Sequence, residues 1–161
     1  MTPQKALERL QLRCSRVELC CGQVRKKLQE WSAKNVKEGK EPFPDSVIDS
    51  IIEQLVKERY VDDSRFAEAY VRDKARFSKW GKVKISYNLR VLGVPDDIVR
   101  CALENNSECF AAEFLEDLLR KRWDMLPESD SLERKRSKIL RFALGRGFGY
   151  DQIIPIIRML G

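Results

Sequence analysis

The chain has 161 residues, 43% of them hydrophobic and 35% charged, with eight glycines, six prolines and a formal net charge of +6. That length buries a real core in one domain or a few small modules. The scarcity of Gly and Pro favours helices with brief connections over a turn-rich β sandwich, and the positive excess suits a polyanionic or acidic partner. The sequence contains no histidine, which excludes Ser–His and Cys–His catalysis and removes the usual neutral metal ligand and pH switch.

Five cysteines, Cys14, Cys20, Cys21, Cys101 and Cys109, are odd in number and form no C-x-x-C pair. They read as reduced thiols rather than as a disulfide framework or a zinc knuckle. Met1 is followed by a charged amphipathic segment and not by a signal peptide. No apolar run approaches the roughly 20 residues that span a bilayer. The expectation is a cytoplasmic protein with no membrane attachment. There is no Walker loop or GxGxxG segment, so no cofactor, metal or catalytic group is assigned.

The first helix is predicted over Pro3–Arg13, with Thr2 as its cap and Pro3 at the first helical position. Ser15-Arg16-Val17-Glu18 has the form of a capping box and predicts a second helix with Val17, Cys20, Cys21, Val24, Leu28 and Trp31 as its apolar stripe. Both cysteines in that stripe are best explained by packing. Residues 32–44 are polar, end in Pro-Phe-Pro and read as a loop or insert. Asp45 starts a third helix through Arg59, with Val47, Ile48, Ile51, Ile52, Leu55 and Val56 as its stripe.

Asp62 and Asp63 each suit the cap of a helix from Ser64 to Phe77, with Phe66, Ala67, Tyr70, Val71 and Phe77 inward. A helix from Lys82 to Leu92 follows, stopped by Gly93. Pro95 opens the next, with Ile98, Val99, Ala102 and Leu103 inward. A further triplet begins near Ser107, with Phe110, Ala111, Phe114, Leu115 and Leu118 as its first stripe and a loop from Trp123 to Ser129. Ser131 heads the next helix, Gly145, Gly147 and Gly149 break it, and Asp151 caps the last, where Pro155 requires a bend if it lies beyond the first turn.

These helices repeat. Phe66, Tyr70 and Asp73 match Phe110, Phe114 and Asp117 at 44 residues; Ser86, Leu89 and Arg90 match Ser137, Leu140 and Arg141 at 51; Asp96, Ile98 and Val99 match Asp151, Ile153 and Ile154 at 55. The expected fold is all-α, an elongated, curved array, right- or left-handed, of tandem three-helix repeats over residues 1–59, 60–106 and 107–161.

The run YVDDSRFAEAYV followed by WGKVKISYNLRVLGVPDDIV resembles the RecX regulatory proteins. The tokens are Asp62, Asp63, Arg65, Phe66, Tyr70, Gly81, Leu89 and Gly93, together with Trp80 and Leu92. The likeness is sharpest over residues 60–103. It implies a non-enzymatic protein that binds the RecA recombinase filament and modulates, most often inhibits, its recombinase, ATPase and coprotease activities in DNA repair. A monomer is expected, with single- or double-stranded DNA as a second candidate partner. The third triplet departs from the pattern through its acidic loop and its three glycines.

Positive charge recurs on or near the second helix of each triplet: Arg25 and Lys26 in the first; Arg72, Lys74, Arg76, Lys79, Lys82, Lys84 and Arg90 in the second; Arg134, Arg136, Lys138 and Arg141 in the third. Such a face follows a phosphate backbone or an acidic groove. It equally describes the solvated outer side of amphipathic helices. Trp80, between Lys79 and Lys82, has two readings, a contact for a base or a protein and a plug between units. A stand-alone nucleic-acid-binding module and a helical adaptor for another acidic protein are the competing functional classes.

Overall fold

A computed structural model describes residues 1–161 as nine α-helices and one short 3-10 turn. The chain divides into two compact units, residues 1–67 with 89–99, and residues 68–88 with 100–161.

The first unit contains α1 (Pro3–Cys14), α2 (Cys21–Lys37) and α3 (Asp45–Lys57). Thr2 caps α1 as expected, its Oγ1 accepting the Lys5 N–H at 3.3 Å. Leu10, Val24, Leu28, Ile48 and Leu55 are fully or almost fully buried and belong to one core. Burial of each such side chain is worth about 1.5–3 kcal/mol against exposure.

Two expectations fail in this unit. Ser15 does not open a helix: it ends α1, and its hydroxyl donates to the Leu12 carbonyl. The second helix begins only at Cys21, so Val17 lies outside it and is exposed. Glu18, the other half of the supposed capping box, instead accepts from Arg65 Nε at 2.7 Å. In addition, residues 32–37 are helical, and the insert shrinks to a loop over 38–44. Asn35 explains that extension. It is buried and donates from Nδ2 to the carbonyls of Met1 and Glu41, pinning the loop to the end of α2.

Three helices follow: α4 (Asp63–Arg76), α5 (Lys82–Val91) and α6 (Asp96–Asn105). Asp62 caps α4, its Oδ1 accepting the Arg65 N–H at 3.0 Å. Phe66, Ala67, Val71, Val99 and Ala102 are buried as predicted, together with Ile85 and Leu89 of α5, but Phe77 is 81% exposed. It falls one residue after α4, where the helical periodicity no longer governs its direction.

The second unit also holds the 3-10 turn Ser107–Phe110, α7 (Ala112–Asp124), α8 (Leu132–Gly145) and α9 (Tyr150–Met159). Leu115, Leu119, Ile139, Ala143 and Ile153 form its core. Ser131 caps α8 through its Oγ and the Arg134 N–H. The predicted loop start at Trp123 is corrected: that residue is still helical and packs against this core. The cap of α9 is Gly149 and not Asp151. Pro155 lies in the helix interior, so the bond to the Asp151 carbonyl is missing there.

The repeat is real, but its register differs. Phe110 and Ala111 precede α7, and Phe114 is 62% exposed. The buried pair Leu115 and Leu119 takes the place of Ala67 and Val71, each 48 residues on. Ile85 and Ile139, Leu89 and Ala143, Val99 and Ile153, and Ala102 and Ile156 are each 54 apart. The step therefore changes once, between Leu119 and Ile139, where α8 carries an added first turn.

Candidate partner-binding face

The second unit fixes the corner between α4 and α5 through its backbone. After α4, Lys79 takes a left-handed conformation (φ +56°), and the Trp80 N–H donates to the Lys74 carbonyl at 3.0 Å. Gly81 N–H then donates to the Arg146 carbonyl at 2.7 Å, and Val83 N–H to the Gly147 carbonyl at 3.1 Å. Arg146 Nη1 returns to the Ser78 carbonyl at 2.8 Å, and Lys84 Nζ to the Gly145 carbonyl at 3.1 Å. The approach requires glycine on both sides. A Cβ on Gly81 would lie 2.5 Å from the Gly147 oxygen, and one on Gly147, at φ +89°, would lie 2.2 Å from Lys84 Cβ.

The first unit builds the same kind of joint. A Cβ on Gly22 would lie 2.1 Å from the Leu92 oxygen, beside Gly93 at φ +90°. In each joint the start of one second helix sits against the glycine that ends another. These close approaches were missed in the sequence, where Gly93 read as an ordinary helix stop and Gly81 only as a motif residue. The signal was there in the fixed spacing of Gly93 and Gly147.

On this base the Trp80 ring is half-buried. Lys74 Nζ lies 4.8 Å and Lys84 Nζ 4.5 Å from its centroid, and Lys74 also stands 5.4 Å from the Tyr70 ring. Each cation–π contact is worth about 0.5–1 kcal/mol at an exposed site. Their larger consequence is to hold two ammonium groups in place without neutralising them.

The remaining cations divide sharply. Arg25 pairs with Asp49 at 2.6 Å, Arg72 with Glu68 at 3.5 Å, and Arg90 with Asp96 at 2.7 Å. Asp130 takes both Arg134 at 3.5 Å and Lys138 at 2.5 Å. Those two cations hold its carboxyl below the usual carboxylate range, the Lys138 hydrogen bond being the main cause. Arg136 has its Nε buried without a hydrogen-bond partner, whereas Lys26 and Arg141 are exposed. Lys74, Arg76, Lys79, Lys82 and Lys84 enter no ion pair. Uncompensated charge is thus concentrated between residues 74 and 84, where the sequence has no acid.

The motif residues do structural work. Asp62 caps α4, while Asp63 Oδ1 accepts the Cys21 N–H at 2.7 Å and so serves the first turn of α2. Arg65 joins Glu18 to the Arg59 and Tyr60 carbonyls. Phe66 and Leu89 are buried, and Tyr70 is half-buried. Glu68, which the sequence did not single out, accepts from Asn105 and Asn106, and these bonds lower its pKa.

Three of the five thiols are held in the protonated form. Burial raises the pKa of Cys14 and Cys20, and burial together with Asp63 pushes Cys21 up to about 12. Cys20 Sγ donates to the Leu92 carbonyl. No group of three or more Cys, Asp or Glu side chains is placed to hold a metal ion.

Comparison with known proteins places this geometry. Residues 62–103 match the family model for the second three-helix domain of RecX, and residues 114–157 the model for its third. The chain is 35% identical to the regulatory protein RecX of Clostridium acetobutylicum over 76% of this chain and 58% of that protein. It is 33% identical to that of Prosthecochloris aestuarii over 69% and 70%. The crystal structure of RecX from Lactobacillus salivarius superposes with a TM-score of 0.77 at 27% identity, covering 98% of this chain and 96% of that one. The chain spans about half the length of several curated relatives it matches, 58%, 44% and 42% of three of them. No helix is long and apolar enough to cross a membrane. The two family-model matches and the relatives together establish that the chain belongs to the RecX family.

Proposed function

We propose that this chain is a non-enzymatic regulator that binds the RecA recombinase filament in the cytoplasm and inhibits its recombinase, ATPase and coprotease activities. Family membership carries the reading, since the curated relatives are named regulatory proteins. The unpaired cations between Lys74 and Lys84 support a contact with an acidic or polyanionic surface. The chain acts as a monomer, and DNA within the filament is a second contact.

Titration of the full chain into cognate recombinase hydrolysing ATP on single-stranded DNA tests this. Hydrolysis changes at substoichiometric to near-stoichiometric ratios. A flat response in both hydrolysis and strand exchange across a broad titration would sink the proposal. Lys82→Glu with Lys84→Glu weakens the effect without loss of helicity in circular dichroism; normal regulation by that double variant moves the contact elsewhere. The same unpaired cations favour one alternative, a stand-alone nucleic-acid-binding module. Tight, sequence-selective duplex binding at physiological salt without recombinase is its signature.

A further inference from the structure

The second unit carries two grooves with partly apolar walls, both lined by residues of the 3-10 turn Ser107–Phe110. Cys109 lines one and its neighbour Phe110 lines the other. The first groove, of about 180 Å³, is walled by Phe114 and Leu118 and rimmed by Arg76 and Lys79. The second, of about 330 Å³, is walled by Leu115, Pro155, Ile156 and Met159 and rimmed by Lys82. The Lys82 ammonium stands 5.4 Å from the Phe110 ring centroid in the second groove.

Both grooves are therefore edged by the cations that have no ion-pair partner. Two of the four lining carboxylates are paired, Asp117 with Lys121 at 3.4 Å inside the first groove and Glu116 with Arg120 at 2.9 Å, which leaves Glu108 in the first lining and Asp151 in the second beside the three unpaired cations. Phe114 is 62% exposed and Met159 57% exposed at the groove walls. Concave sites that combine apolar walls with a few convergent polar groups are the usual form of a binding site.

The wall chemistry selects the class of partner. A phosphodiester backbone would satisfy the cations, and a base could stack on Phe114. It would leave Leu118, Pro155, Ile156 and Met159 with neither a stacking plane nor a hydrogen bond to offer. A protein segment that alternates apolar side chains with carboxylates satisfies walls and rims together. We propose that these two grooves dock an acidic protein segment, with an apolar side chain in each groove and its carboxylates on Arg76, Lys79 and Lys82. The inference rests on the reading of this chain as a regulator whose partner is a protein.

Fluorescence anisotropy on the full chain tests it at about 0.15 M salt. One probe is a labelled synthetic peptide in which leucines flank glutamates; the other is a labelled oligothymidylate of the same net charge. The exposed positions allow Phe114→Gln and Met159→Gln without change of charge or fold, the latter checked by circular dichroism. The peptide binds the wild type and loses about tenfold in affinity to either variant, while oligothymidylate binding stays the same. Absence of peptide binding to the wild type, or equal peptide binding by both variants, overturns the proposal. The two readings fail separately in an ATPase titration with the cognate recombinase. Equal regulation by wild type and both variants removes the grooves and keeps the regulator; a wild type without effect removes the regulator, whatever the peptide does.

Discussion

Two stretches of the second unit carry similar positive charge in the sequence and use it differently. From Arg134 to Arg146 four of the cations are engaged within the fold, while Arg136 and Arg141 are not paired. Arg134 and Lys138 share Asp130, Lys135 lies 5.6 Å from the Trp123 ring, and Arg146 holds the Ser78 carbonyl. From Lys74 to Lys84 only the Lys84 ammonium makes a hydrogen bond, to a neutral carbonyl, and no cation meets a carboxylate. A run of basic residues therefore does not identify a binding face. The face proposed above is instead chosen by charge that the fold positions and leaves unneutralised. The cost of such positioning is small when aromatic rings do it, because a cation–π contact orders an ammonium group without cancelling it.

The positioning depends on the glycine joint, which offers the strongest way to break the comparison. Gly147→Ala forces a Cβ to 2.2 Å from Lys84 Cβ at a positive φ, so two faults combine. The expected loss is about 2–4 kcal/mol, read from urea or thermal denaturation. Gly39→Ala is the control: its φ is +70°, but nothing lies within 4 Å. It should lose only the left-handed conformational penalty, about 1–2 kcal/mol. Equal losses at both positions would mean that the close approach at Gly147 relaxes at no cost and that the joint does not hold the corner.

Neutralising each stretch in turn sharpens the comparison. Lys74→Gln with Arg76→Gln should reduce the apparent affinity for the recombinase filament about tenfold, since both charges are available to a partner. Arg134→Gln with Lys138→Gln should change it less than about twofold, because Asp130 already engages both. Titrations of the ATPase effect measure both pairs. A larger loss from the second pair would reverse the assignment of the face.

Much of the fold was legible because its signals are local. Thr2, Asp62 and Ser131 cap helices as their side chains allow, and in the predicted stripe of α3 Ile48, Ile51, Ile52 and Leu55 are buried while Val56, at its edge, is 45% exposed. The errors arose where a local pattern had a competitor. Ser15 to Glu18 fits a capping box, but Arg65 claims Glu18 from far along the chain. Phe110, Phe114 and Leu118 have the same four-residue spacing as Leu115 and Leu119, so periodicity alone permits a slip of one turn. Phe77 and Phe114 look like core residues in sequence, and nothing local shows that the fold leaves them outside. The candidate face was half legible: the charge was visible, but its neutralisation by Asp130, which lies outside the run it pairs with, was not.

The smallest expected effect probes that same Asp130. Its carboxyl is more acidic when folded, chiefly through the hydrogen bond from Lys138. A lowered folded pKa means that the contribution is present above the unfolded value of about 3.9 and is lost as pH falls through the folded value. Wild type should therefore be slightly more stable than Asp130→Asn at neutral pH, and the gap should close in acid. Thermal midpoints of the two proteins from about pH 6 down to about pH 2 measure it. A gap that stays constant over that range would mean Asp130 acts by shape and not by charge. The Arg134 to Arg146 stretch would then be less neutralised than its distances imply, and its claim to contact a partner would rise to that of residues 74–84.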